Sequence, residues 1–329
     1  FVGAEGKIEM EKVPANGYQI IGLPVRGFVR KLSFNNFVVI LNLLKSLFLS
    51  YKIIKSFKPD IVVGVGGFAS GPVVYIASLL GVPALLQEQN SYAGVTNKLL
   101  AKRAAKICVA YDNMGRFFDK QKIIKSGNPV RQNLYKNDID KETALNYFGL
   151  NKNKKTILVL GGSGGAKFIN EAVINKLGEL EQSGTQLIWQ TGKFYYKMSN
   201  EAAINSGATN CIVKDFVTRM DYAYKAADLV ISRAGAATIS ELCLLKIPAI
   251  LVPSPNVAED HQTKNAMALV EKNAAVLIRD KDAYENMLDE ALKLINNEIK
   301  IAELRKNVAK LGIENSDKII AEEILKLGK

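Results

Sequence analysis

Short runs of Val, Ile and Leu recur along almost the whole chain, and amphipathic stretches fill the intervals between them. Strands are expected at Ile61–Val65, Ala84–Gln87, Ile107–Ala110, Thr156–Leu160, Gln186–Gln190, Leu229–Ser232 and Ala249–Val252. Most are apolar on both faces, as parallel strands covered by helices must be. Helical periodicity follows at Asn170–Glu181, Thr238–Leu245 and Gln262–Glu271. This alternation predicts βαβ units and doubly wound sheets.

A chain of 329 residues is too long for one ordinary core and suits two domains of about 150 residues each. Ser126-Gly127-Asn128-Pro129-Val130-Arg131 breaks the pattern, and a polar segment runs on to Lys155 before the next strand. The expected division is 1–130, 131–312 and a terminal segment 313–329, whose helical stretch Asn315–Leu327 could cross back to the first domain. The fold class expected is α/β, two Rossmann-like domains facing across a cleft. The chain opens at Phe1-Val2-Gly3-Ala4 as if at the end of a strand, and further residues before Phe1 are expected.

Three strand ends carry the chemistry. Thr156–Leu160 runs into Gly161-Gly162-Ser163-Gly164-Gly165-Ala166. Glycines let backbone amides approach a phosphate, and the next helix adds its N-terminal amides. No Gly-Lys-Ser/Thr follows, which excludes a Walker A loop. Glu179 and Glu181 lie where a dinucleotide site places its ribose acid, so this loop alone leaves a dehydrogenase open. Gly64–Pro72 follows the strand at residue 61, with Pro72 expected in a first helical turn. It binds a pyrophosphate or merely turns the chain. Third, Leu229–Ser232 leads into Arg233-Ala234-Gly235-Ala236-Ala237-Thr238-Ile239-Ser240-Glu241. Small residues there leave room for a ligand against backbone amides. Glu241 either grips both hydroxyls of a ribose or serves the helix N-terminus.

Taken together, GGFASGP (66–72), QEQNSYAGVTNK (87–98), GNPVR (127–131), GGSGGA (161–166), SRAGAATISE (232–241) and HQTKNA (261–266) resemble the MurG family. The resemblance spans essentially the whole chain, with the motifs in the family's order. It implies a glycosyltransferase of the two-Rossmann (GT-B) type that moves N-acetylglucosamine, with inversion, from UDP-N-acetylglucosamine to the muramoyl 4-hydroxyl of lipid I. It further implies that Glu241 holds the ribose, while Ala236, Ala237, Thr238, Ile239 and Ser240 line the phosphate and sugar pocket. Ser163 and Arg131 would meet the diphosphate region, and Val217 the uracil through its backbone. Gln262 and Asn90 would contact the N-acetylglucosamine. Glu88, Asn90, Asn97 and the loop Gly66, Gly67 to Gly71 would face lipid I. The implied setting is peripheral, on the cytoplasmic face of the bacterial inner membrane, and it leaves cell-wall synthesis or division proteins open as partners. Two departures stand out. The family's first glycine loop, with a His that is a candidate for catalysis, precedes the point where this sequence begins, so the catalytic residue is left unassigned. Where the family commonly has Gln in GGSQGA, this chain has Gly164, a change expected to be tolerated because backbone amides do most of the work.

The remaining features read simply. Asp138-Ile139-Asp140 and Asp280-Lys281-Asp282 match DxD but precede helical patterns, so N-capping is expected and no metal or other cofactor is proposed. Cys108, Cys211 and Cys243 are scattered and sit in or beside apolar runs, which predicts buried thiols in a reducing compartment. The single histidine, His261, is a weak general base. The formal charge of +12 needs a partner or a lysine-rich surface. Part of that charge, Arg26, Arg30, Lys31, Lys45, Lys52, Lys55 and Lys58, clusters around the apolar stretch Phe34–Phe57. An anionic membrane surface is therefore expected, and no nucleic acid. Lys45, Lys52 and three asparagines argue against a membrane span, and no run reaches roughly 18 uninterrupted apolar residues. An interfacial helix is expected, with a buried core helix as the alternative. Two rival functions remain: a related transferase acting on a diacylglycerol or an antibiotic aglycone, and a catalytically silent nucleotide-binding scaffold.

Overall fold

A computed structural model describes residues 1–25, 27 and 34–328; Arg26, Arg30 and Lys31 lie outside the described residues. The chain forms two compact units, Phe1–Gly127 with Asn315–Lys329, and Asn128–Glu314.

The first unit runs β1 (Val2–Ala4), α1 (Glu9–Ala15), β2 (Ile21–Leu23), α2 (Phe34–Phe57), β3 (Val62–Gly64), α3 (Gly67–Leu79), β4 (Ala84–Glu88), α4 (Val95–Leu100), β5 (Lys106–Val109) and β6 (Ile123–Lys125). β1 and β2 pair in parallel, and β3-β4-β5-β6 form a second parallel sheet in sequence order. β4 is buried at all five positions because helices cover both of its faces. The C-terminal helix Ser316–Leu327 belongs to this unit: Ile320 packs with Leu85 and Cys108, and Ile324 and Leu327 flank them. Helix α3 begins at Gly67, earlier than Pro72 suggested. Gly66 and Gly67, at φ of 84° and 73°, turn the strand end directly into the helix, and Pro72 falls inside it.

Helix α2 is turned inside out. Val39, Ser46, Ser50 and Ile54 are buried, whereas Phe37, Leu41, Leu44, Phe48 and Tyr51 are exposed at 44–62%. The exposed set recurs every three or four residues and so forms one stripe along the helix. A core helix would present these side chains inward. By length and composition alone, Phe37–Phe57 is apolar enough to cross a membrane, with a mean hydropathy of 1.8 and 22% of it buried. Lys45, Lys52 and Lys55 still interrupt the run, so it passes on its average while holding no uninterrupted apolar stretch of roughly 18 residues. Lys52 and Lys55 lie over the rings of Phe48 and Tyr51, at 4.7 and 6.0 Å.

The second unit runs α5 (Lys141–Tyr147), β7 (Thr156–Leu160), α6 (Lys167–Asn175), α7 (Leu177–Gln182), β8 (Gln186–Gln190), α8 (Tyr196–Asn205), β9 (Cys211–Lys214), α9 (Met220–Ala226), β10 (Leu229–Ser232), α10 (Ala236–Leu245), β11 (Ala249–Leu251), α11 (His261–Val270), β12 (Val276–Leu277), α12 (Ala283–Ile295) and α13 (Glu298–Ala309). Its parallel sheet has the order β12-β11-β10-β7-β8-β9. The core between sheet and helices includes Ile157, Val159, Ile169, Trp189, Ile231 and Met287. The expected helix at 170–181 is two helices, broken where Lys176 takes φ −117° and ψ 15°. Gly178 weakens the helix at that point, yet Val173, Leu177 and Leu180 stay buried on one face.

Candidate active site

The sheet order of the second unit reverses direction between β7 and β10. From β7 the chain winds outward through β8 and β9, then returns to β10 on the other side. In an open α/β sheet, ligands bind at this switch point, outside the carboxyl ends of the strands. Leu160 is in register with Ser232 and with Gln190, and Ser232 with Leu251. The loops that begin at Gly161, Thr191, Arg233 and Val252 therefore leave the sheet at one level.

The loop after β7 is held tightly. Gly165 has φ +87°, and a Cβ there would lie 2.4 Å from Tyr195 Cδ2 and 2.5 Å from the Thr191 carbonyl oxygen. Gly164 differs: a Cβ at that position would meet nothing within 4 Å. Ser163 is exposed at the tip, and its carbonyl accepts from the Lys193 amide at 3.4 Å.

The loop after β10 gives a helix with open amides. Gly235 is extended, at φ −68° and ψ 145°, and makes no side-chain cap. The amides of Ala236, Ala237 and Thr238 thus have no carbonyl one helical turn back, and they carry the positive end of the helix dipole. Ala237 is exposed and Thr238 half-buried. Ile239 is different from its neighbours: its side chain is 2% exposed and its amide donates to Gly235 O at 3.0 Å. Its side chain anchors the helix. Ser240 Oγ donates to Ala236 O at 2.9 Å and accepts from Asn128 Nδ2 at 3.0 Å.

Glu241 does not cap its own helix. Tyr224, buried on α9, donates its hydroxyl to Glu241 Oε2 at 2.7 Å. Arg131, whose side chain is 62% exposed, brings Nη2 to 3.7 Å from Glu241 Oε1. Burial, together with the Glu241 charge, pushes the Tyr224 phenol well above its ordinary value. The phenol is therefore protonated, and a donor, at neutral pH.

Neighbouring loops are braced from within the sheet. Gln190 Oε1 accepts the Val217 amide at 2.9 Å. Val217 is buried and borders a hollow of about 510 Å³ with Tyr147, Phe148, Lys214, Phe216 and Arg219. Gln262 Oε1 accepts the Ser254 amide at 2.8 Å. Arg233 donates to the carbonyls of Val252 and Pro253 at 3.2 and 3.3 Å and pairs with Asp280. Asp280 is therefore bound by a guanidinium, and the capping expected of its DxD run fails. Asp140 does cap, accepting from the Thr143 amide at 2.7 Å. Among the described residues no cluster of His, Cys, Asp and Glu suits a metal ion.

In the first unit the acceptor-side residues form a buried hub. Glu88 Oε1 accepts from the Asn90 amide and Asn90 Nδ2 at 3.0 and 3.3 Å, and Oε2 from the Gly94 amide and Asn97 Nδ2 at 2.9 and 2.8 Å. Glu88 and Asn97 are each 1% exposed. Their side chains do not face outward. They hold the loop 89–94 in shape instead. Gln89 ties that loop to the preceding one, donating to Val65 O at 2.9 Å. A Cβ on Gly66 would lie 3.8 Å from Asn97 Nδ2. Gly67 and Gly71 begin α3 beside it.

Sequence reasoning missed Tyr224 and Gln190 as supports of the site. Arg233 and Asp280 were each noticed, in the third motif and in a DxD run, but their pairing was not.

Glycine loops at a switch point, an uncapped helix N-terminus and a neighbouring acid define a nucleotide-sugar transferase of α/β type. Residues 1–109 match the N-terminal domain of glycosyltransferase family 28, and residues 156–324 its C-terminal domain. The chain belongs to that family, and within it to the MurG group. It is 56% identical over 328 residues to the UDP-N-acetylglucosamine–N-acetylmuramyl-(pentapeptide) pyrophosphoryl-undecaprenol N-acetylglucosamine transferase of Phocaeicola vulgatus, covering 99% of this chain and 87% of the relative. The enzyme of the same name from Parabacteroides distasonis is 56% identical over 327 residues, covering 99% and 89%. The crystal structure of Acinetobacter baumannii MurG superposes with a TM-score of 0.79 at 26% identity, covering 99% of this chain and 90% of that one. The fold is thus the GT-B type expected from the sequence.

Proposed function

We propose that this enzyme transfers N-acetylglucosamine from UDP-N-acetylglucosamine to the muramoyl 4-hydroxyl of lipid I, forming lipid II for peptidoglycan synthesis. The observation that carries the reading is the pairing of the uncapped α10 N-terminus with Glu241 at the switch point. It sits in a chain 56% identical to relatives named for this transfer. Open amides meet the growing diphosphate charge as UDP leaves, assisted by Ser163, and this replaces a metal. Glu241 accepts the ribose hydroxyls, with Arg131 beside it. The Val217 amide is already taken by Gln190, so base recognition falls to the Val217 carbonyl. The Gln262 NH2 group, opposite its bound oxygen, donates to the sugar. Asn90 and the Gly66–Gly71 loop serve the acceptor.

The enzyme works as a peripheral protein on an anionic membrane surface, at the cytoplasmic face where lipid I is presented. Support comes from the exposed stripe on α2 and its flanking lysines. It also comes from an apolar hollow of about 830 Å³ lined by Leu43, Leu47, Phe68, Tyr75 and Leu99. Cell-wall synthesis or division proteins are natural neighbours there. A radiolabel transfer assay tests the function: lipid I should accept label, diacylglycerol and an antibiotic aglycone should not, and EDTA should leave turnover intact. Label on either rival acceptor with none on lipid I overturns the reading, as does a protein that binds UDP and transfers nothing.

A further inference from the structure

We propose that Tyr224 is a positioning residue for the donor, holding the Glu241 carboxylate in the rotamer that receives the ribose hydroxyls. This rests on the reading of Glu241 as the ribose contact. A glutamate has three side-chain torsions to fix, and ordering a side chain of that length is costly. Gly235, at the N-cap of its helix, has no side chain with which to hold Glu241. Arg131 is mostly exposed and stands at 3.7 Å from Oε1, beyond hydrogen-bond range. The Tyr224 hydroxyl reaches Oε2 at 2.7 Å, from a ring only 3% exposed, so core packing sets its position.

The count of lone pairs fits this role. A carboxylate offers about four acceptor sites. The phenol occupies one on Oε2, and its burial keeps that bond out of competition with water. Sites on both oxygens remain for the two hydroxyls of a ribose. The tyrosine therefore acts through Glu241 and touches no substrate.

Tyr224→Phe removes the hydroxyl and keeps the ring. Calorimetry should show UDP binding weakened about tenfold, as befits one hydrogen bond to a charged group. KM for UDP-N-acetylglucosamine should rise by the same factor, with kcat within about twofold. The penalty should disappear for 2′,3′-dideoxyuridine diphosphate, which lacks both hydroxyls, and also in the Glu241→Ala background. A variant that weakens both nucleotides equally has lost general structure, and the proposal falls. It falls too if Glu241→Ala weakens UDP and Tyr224→Phe does not, a result that leaves the ribose reading standing. If Glu241→Ala binds UDP as the parent does, the ribose reading itself fails and takes this inference with it. A thermal midpoint on each variant shows that the binding differences belong to folded protein.

Discussion

Replacing Leu44 and Phe48 together with Gln separates a membrane-facing helix from a core helix by sign. Both side chains are already more than half exposed, at 57% and 58%. The fold therefore loses little, and the thermal midpoint should move by no more than a surface substitution does, within about 0.5 kcal/mol. Membrane binding should suffer far more. Fully burying a Leu or Phe is worth about 1.5–3 kcal/mol, and a little over half of each is still available. The pair then forfeits roughly 2–3 kcal/mol of partition free energy, about 30- to 150-fold in vesicle affinity. The electrostatic share comes from a different variant. Lys45, Lys52 and Lys55 to Gln removes charges worth about 1 kcal/mol each near an anionic surface. Its effect should shrink as salt rises from 0.1 to 1 M and the Debye length falls from about 10 to 3 Å. The assay is co-sedimentation with vesicles of anionic and of neutral lipid, at low and high salt. Relative to the parent, the Leu44/Phe48 variant should bind more weakly at every salt concentration, and the lysine variant more weakly only at low salt, where the parent's charges are unscreened. Parent-like sedimentation of the Leu44/Phe48 variant, or a collapse of its stability, would refute the reasoning.

Three further outcomes are expected. Gly165→Ala should destabilise the second unit by about 2–4 kcal/mol in urea unfolding, because its Cβ would strike Thr191 O and its φ is positive, whereas Gly164→Gln should change stability by less than about 0.5 kcal/mol. Glu88→Gln should cost about 2–4 kcal/mol, since the new NH2 must face two of the four donors gathered there; lipid I turnover should fall while calorimetric UDP affinity holds. Burial pushes the Cys243 thiol up to about 12 from an ordinary 9.0. The folded state thus keeps a proton that the unfolded state has lost between those values, and stability falls as pH rises through that window. Cys243→Ala should flatten the decline by up to about 1.4 kcal/mol per pH unit, as read from urea midpoints at pH 7, 9 and 10.5.

What the sequence disclosed and what it hid follow from the range of the interactions involved. The strand at 156–160 and its glycine loop were legible because a strand buried on both faces and a turn of glycines are local patterns, each set by residues side by side. The order of strands around β7 was not, yet it is what brings the loops at 161 and 233 to one edge. Polar side chains misled most. The run Gln87–Asn97 reads as an exposed binding loop, but Glu88 and Asn97 are buried because one carboxylate can collect four donors, three from the loop that follows it and one from Asn97 on α4. Glu241 was found by its place in a motif, whereas Tyr224, 17 residues away on another helix, left no trace in sequence spacing. Helix α2 gives the sharpest case. Its hydropathy is nearly uniform around the axis, so composition could not say which face turns inward. The small residues Ser46 and Ser50 settle it by packing closely within the fold, leaving Leu44, Phe48 and Tyr51 outside. A side chain's fate depends on the surface its helix meets as well as on its own hydrophobicity. That surface is assembled from elements far apart in the chain.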